Sequence, residues 1–232
     1  MADQPDGGRD NPGGADLKRA AARAPGARAV RPKHAASLIL WRQPAEGPAE
    51  ILMGMRHAKH KFMPSVLVFP GGRVDRADYR APILSPLRAE PAARLAYRAT
   101  PSLARALGTA AARELHEETG LLLGEMRAGR LAADLDALEQ LCRAITPASR
   151  AMRFDARFLV AKAERATGSL GGSGELERLD WYSLAAARAA TLANITAQIL
   201  GEFEAWLALT EAARTARPHI IYRGNDNRTE EG

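Results

Sequence analysis

Apolar positions in this chain fall into short runs, alternations and helical stripes, a mixture that predicts an α/β protein. An apolar run over 35–41 predicts a strand, the Gln, Pro and Gly residues of 43–48 a reversal, and 51–55 a second strand, so the two form a hairpin. A short buried strand over 66–69 runs directly into Pro70, Gly71 and Gly72, where adjacent glycines let the backbone approach a ligand closely. The stretch 102–119 predicts a helix, started by Pro101 and Ser102 and stopped by Gly120, after which Leu121, Leu122 and Leu123 return to the sheet or core. Leu131, Leu135, Leu138, Leu141 and Ile145 recur at helical spacing and predict an amphipathic helix ended by Pro147. Alternation over 154–161, with Phe154, Ala156, Phe158 and Val160 on one face, predicts another strand. A glycine-rich loop at 168–174 leads to an alternating strand over 175–182, and a short helix opens at Ser183. Ile195, Ile199, Phe203, Trp206 and Leu207 line one face of a longer terminal helix, a stripe expected to be core or subunit interface.

Residues 1–33 are rich in Gly, Pro, Ala, Asp and Arg with almost no large apolar side chain, which predicts a disordered basic tail. The expected organisation is this tail, one globular domain over 34–216, and a polar, flexible tail over 217–232. At 232 residues, 46% hydrophobic and 26% charged, the chain is long enough to bury a substantial core in that one domain. A single cysteine, Cys142, rules out an internal disulfide framework and suits a reducing compartment; with Leu138, Leu141 and Ile145 around it, core packing is its expected role. No run of about twenty apolar residues exists and no apolar signal region opens the chain, so a cytoplasmic protein without a membrane partner is expected. The net charge of +6 suggests attraction for polyanions, but only 5% aromatic residues leave few stacking platforms, which disfavours nucleic acid and favours a small anionic partner.

The candidate chemistry is concentrated in Arg113, Glu114, Leu115, His116, Glu117, Glu118, Thr119, Gly120 and Leu121. At about 100° per residue, Glu114, Glu117 and Glu118 fall within roughly a 100° arc. Like charges repel at this spacing, and the last two sit beside the negative end of the helix dipole. The arrangement becomes favourable with a hard divalent cation among the carboxylates, because Mg²⁺ takes oxygen ligands and shares them with substrate phosphates. A solvated acidic turn is the alternative. Upstream, the basic loop from Arg56 to Pro64 contains His57 and His60 without a neighbouring carboxylate, a composition suited to phosphate contact or solvent rather than to metal.

These residues resemble the Nudix hydrolase signature, G-x(5)-E-x(7)-R-E-U-x-E-E-x-G-U with U aliphatic. Residues 113–121 fill its second half without a departure, and Phe69, Pro70, Gly71, Gly72, Arg73, Val74 and Asp75 resemble its opening. Two features depart. Asp78 stands where the family has Glu, and 34 residues separate it from Arg113 where seven are usual, an insertion of roughly 27 residues occupying 79–103. An interrupted box with this opening resembles the peroxisomal coenzyme A diphosphatase group and its bacterial relatives.

The resemblance spans roughly 35–206 and implies a Nudix α/β/α sandwich: a mixed sheet between helices, with the insertion in the box and a C-terminal helix. It implies metal-dependent hydrolysis of a pyrophosphate bond in a nucleoside diphosphate linked to another moiety, with coenzyme A or acyl-CoA the leading substrate. ADP-ribose or a dinucleotide, and a non-catalytic nucleotide- or RNA-binding module, are the alternatives. By resemblance, Glu117 and Glu118 ligate Mg²⁺ or Mn²⁺, Glu114 ligates it or helps activate water, and the carbonyl of Gly71 completes the shell. Arg113 orients the acidic residues, while Arg56, Gly72 and Arg73 meet the substrate. Whether Asp78, Glu175 or Glu177 joins the site, and whether the chain forms a homodimer, are left open.

Overall fold

The computed structural model describes residues 22–23, 28–56, 65–224 and 227–232. Most of the expected N-terminal tail, and the basic loop with His57 and His60, lie outside the described residues. The chain enters through β1 (Lys33–Arg42) and β2 (Glu50–Arg56), the expected hairpin, with Trp41 opposite Ile51. β3 (Leu67–Val68) then pairs with β2, and β4 (Gly71–Arg73) pairs with β1 so that Gly72 lies opposite Ala36.

The insertion follows as a 3₁₀ turn (Asp78–Arg80), β5 (Ile83–Ser85) and α1 (Ala89–Ala96). Helix α2 (Pro101–Thr119) is the expected one: Thr100 caps its start by accepting from the Leu103 N–H, Pro101 fills its first turn, and Gly120 ends it at φ 76°. β6 (Gly124–Arg127) and β7 (Arg130–Asp134) form a hairpin whose second strand pairs with β5, a small three-stranded sheet beside the main one. The remaining elements are β8 (Glu139–Ile145), β9 (Phe154–Lys162), β10 (Leu176–Ser183), α3 (Leu184–Ala189), α4 (Asn194–Leu207), α5 (Glu211–Thr215), β11 (His219–Arg223) and β12 (Asn227–Glu231).

Among the described residues the main sheet runs β10-β2-β1-β9-β8-β11-β12, with β1/β9 and β8/β11 parallel and the other pairs antiparallel. Both faces of its centre are covered, which is why β1 reads as a continuous apolar run. Ala36, Leu38, Leu40, Leu159 and Ala161 pack under α2 on one face. Ile39, Phe158 and Val160 meet Ile199, Phe203 and Trp206 of α4 on the other. Each large apolar side chain buried this way stabilises by about 1.5–3 kcal/mol. The result is an α/β/α sandwich, as expected.

Three expectations are corrected. The helix predicted over 131–145 is instead β7, a 3₁₀ turn (Leu135–Ala137) and β8, and Cys142 is a buried strand residue. The chain after 217 is the β11/β12 hairpin, with Ile220, Ile221 and Tyr222 buried, so α4 is not terminal. Lys33, assigned to the tail, already belongs to β1.

The hairpin and the residues leading into it also grip the insertion. Arg94 of α1 donates to the carbonyls of Thr215 (3.1 Å) and Arg217. The Tyr97 ring stacks on His219 at 4.0 Å, its hydroxyl donates to Glu231 at 3.0 Å, and Arg98 pairs with Glu231 at 3.0 Å.

Candidate active site

The inner face of α2 is built from small residues, Ala104, Ala110, Ala111 and Gly108, so the helix lies close to the sheet. Its last turn therefore brings carboxylates against β4. Glu118 is only 5% exposed, and its Oε2 accepts the Gly71 N–H at 2.9 Å. A Cβ on Gly72 would collide with the Glu114 carboxylate, and one on Gly71 would meet the Ala36 carbonyl at 2.5 Å. The two glycines are thus one wall of the site: Gly71 lets the chain close against β1, and the missing side chain of Gly72 is the space the Glu114 carboxylate occupies.

Arg113 ties the two halves of the box together. Its Nε and Nη2 fork onto the Asp78 carboxylate at 2.9 and 3.1 Å, Nη1 donates to Glu114 Oε1 and Glu117 Oε2 at 2.8 Å each, and Nη2 also reaches the Arg73 carbonyl at 3.0 Å. Burial works against its charge, yet the bonds and charges of Asp78 and Glu114 outweigh burial and hold its pKa above the usual arginine value. Asp78 is 1% exposed and also accepts the Asp75 N–H at 2.7 Å, so despite the insertion this acid of the first half of the box reaches Arg113.

The remaining acids differ in environment. Burial raises the pKa of Glu114, opposed by Arg113 and assisted by the charges of Glu117 and Glu175. Glu118 is pushed up to about 8, chiefly by burial; the Gly71 N–H and Arg56 oppose this, and the charges of Glu114 and Glu175 add to it. Glu117 is exposed and turned to Arg113, whereas Glu114 is half-buried and Glu118 buried. The Arg73 side chain is exposed near Asp75, and only its carbonyl enters the network.

The glycine-rich loop 168–174 folds over the C-terminal end of α2. The Gly171 N–H donates to the Thr119 carbonyl at 2.9 Å, and a Cβ on Gly172 would strike the Glu118 carbonyl. The loop thereby caps otherwise open helix carbonyls and delivers Glu175 to a position where its charge acts on both Glu114 and Glu118. Glu177 lies beyond it, opposite Met55 on β2, just before a bulge at which Arg178 has φ 49°.

No family model matches this sequence, and no curated protein matches it. Solved structures do. A Nudix hydrolase from Alicyclobacillus acidocaldarius superposes with a TM-score of 0.56 at 22% identity, over 74% of this chain and 90% of that one. This chain has the Nudix fold. The Nudix domain of Shewanella oneidensis NrtR, complexed with ADP ribose, superposes with a TM-score of 0.50 at 15% identity, over 77% of this chain and 90% of that one.

In this Nudix fold the donor set suits a hard divalent cation. Glu118 is a buried carboxylate with further negative charge from Glu114 and Glu175, a surplus that a cation relieves. Among the described residues no three His, Cys, Asp or Glu side chains already stand together as a ligand set, and Arg113 Nη1 holds one oxygen each of Glu114 and Glu117. Two contributors escaped sequence reasoning, Arg105 and Thr109. Arg105, Thr109 and Arg113 follow one another at intervals of four residues, and that spacing is the signal that marks them as one helix stripe.

Proposed function

We propose that this chain is a metal-dependent pyrophosphohydrolase acting on a nucleoside diphosphate linked to another moiety, with coenzyme A or an acyl-CoA the leading substrate. The observation that carries the reading is the pairing of buried Glu118 and half-buried Glu114 with the Gly71–Gly72 wall, while Arg113 locks onto Asp78. Glu114, Glu117, Glu118 and the Gly71 carbonyl would hold Mg²⁺ or Mn²⁺, which when bound neutralises charge on the pyrophosphate oxygens and acidifies water. Arg113 holds Glu114 and Glu117 against their mutual repulsion. Glu175 is our choice over Glu177 to accept the proton of the attacking water, because its charge bears on both Glu114 and Glu118. Arg56, whose charge acts on Glu118, and the backbone of Gly72 and Arg73 would meet the diphosphate. The interrupted box supports coenzyme A; the ADP ribose in the NrtR domain supports ADP-ribose as the second reading.

Hydrolysis of coenzyme A, ADP-ribose, NADH and diadenosine polyphosphates, assayed side by side with Mg²⁺ and Mn²⁺, tests the proposal. We expect turnover of one class and a loss of at least about 10²-fold in kcat for Glu118→Gln, with the circular dichroism spectrum retained. Unchanged hydrolysis in that variant would sink the assignment. Nucleotide binding without metal-dependent turnover would make the chain a non-catalytic module.

A further inference from the structure

We propose that Arg105 and Thr109 are positioning residues that rejoin the split box by holding the first turn of the insertion so that Asp78 stays on Arg113. The proposal rests on the catalytic reading above. Arg105, Thr109 and Arg113 follow one another at four-residue intervals along α2, a stripe that drifts by only about 40° per step. Arg105 Nη1 donates to the carbonyls of Tyr79 (2.9 Å) and Asp78 (3.4 Å), and its Nη2 donates to that of Ala81. The buried Thr109 hydroxyl donates to the Asp78 carbonyl at 2.8 Å. Asp78 is therefore gripped twice through its backbone, one and two helical turns before the point where its carboxylate receives the Arg113 fork.

Chemistry and topology both require such a grip. Arg105 has no carboxylate partner among the described residues; its charge is directed at carbonyls of a helical turn, which carry partial negative charge. With 34 residues between Asp78 and Arg113, the chain itself no longer tethers the acid to the helix, and closing a longer loop costs more entropy. The 3₁₀ turn's own bonds, Asp78 N–H to the Asp75 carbonyl (3.1 Å) and Arg80 N–H to the Ala77 carbonyl (3.0 Å), shape the turn but do not tie it to α2. Among the described residues, only Arg105, Thr109 and Arg113 do so by side-chain hydrogen bonds.

A double-mutant cycle on the full chain tests this. We expect Arg105→Met, which keeps the apolar stem, to lower kcat about tenfold with KM within about twofold, and Arg105→Lys not to restore it, since one ammonium cannot span three carbonyls. Arg105→Met combined with Asp78→Ala should be no slower than Asp78→Ala alone, because the clamp acts through Asp78. Wild-type kcat in Arg105→Met, or additive losses in the double variant, would overturn the proposal. If Arg105→Met does not fold, the near-isosteric Thr109→Val carries the same cycle. If the wild-type chain turns over none of the substrates, the catalytic reading falls, and the cycle is read instead by Mn²⁺ affinity. Non-additive weakening then keeps the clamp, and unchanged affinity removes it.

Discussion

Glu118 carries its carboxyl where burial resists ionisation. With a pKa near 8 against an ordinary 4.5, this group favours the folded chain most at low pH, and that contribution is lost as pH rises from about 4.5 to about 8. The expected consequence is that Glu118→Gln raises the Tm of the metal-free protein by a few degrees at pH 8, while abolishing turnover, a trade of stability for function. Saturating Mg²⁺ or Mn²⁺ should raise the wild-type Tm and leave the variant's nearly unmoved. A thermal-shift titration of the two proteins decides it, and equal metal responses would remove Glu118 from the ligand set. Gly72 is the reciprocal case. Its missing Cβ is the room for the Glu114 carboxylate, so Gly72→Ala should cost about 10²-fold in kcat at nearly normal expression, measurable in the same assay.

Elements rather than single side chains set where the acids stand. The loop 168–174 lies so close to the end of α2 that Gly172→Ala must lift it from the Glu118 carbonyl, carrying Glu175 with it. The expected outcome is a kcat lowered roughly tenfold or more with little change in Tm, because the loop is exposed and buries little apolar surface. The helix α2 and its acids were legible in the sequence because cap, stripe and motif all coincide over 101–120. The stretch 131–145 was not. Its leucines recur at helical spacing by coincidence, since Leu135 sits on a 3₁₀ turn and a bulge between Gln140 and Cys142 breaks the period-two alternation that would mark β8. The β11/β12 hairpin was hidden because its outer strand is a charged edge and its inner strand pairs with β8, some eighty residues earlier. Asp78 was left open for the same reason of distance: its partner is fixed by Arg105 and Thr109, not by spacing in the chain.

At the scale of the whole molecule, the parallel junction of β1 with β9 and its antiparallel neighbour β8 is fastened by Asp155. It accepts a fork from Arg143 at 2.7 Å, pairs with buried Arg157 at 2.6 Å and lies 3.5 Å from His34. Burial alone would raise its pKa, but the two arginines win and hold it below the ordinary 3.8, so its contribution is present at neutral pH and lost as pH falls through that range. Burial lowers the pKa of His34, which adds acid sensitivity beginning below about 6.5. Asp155→Asn should therefore lower stability at pH 7 by about 3–5 kcal/mol and flatten acid unfolding below pH 4, as followed by fluorescence. The grip of residues 214–231 on the insertion has a consequence in time. Arg94 is translated about 120 residues before the carbonyls it binds, so on the ribosome α1 must wait for the final strands to complete its contacts, although β5 and the 3₁₀ turn are already held by β7 and α2. Nascent chains halted before residue 214 should be cut by protease within 89–98, whereas released chains should resist, which would make the docking of α1 one of the last events in the birth of the protein.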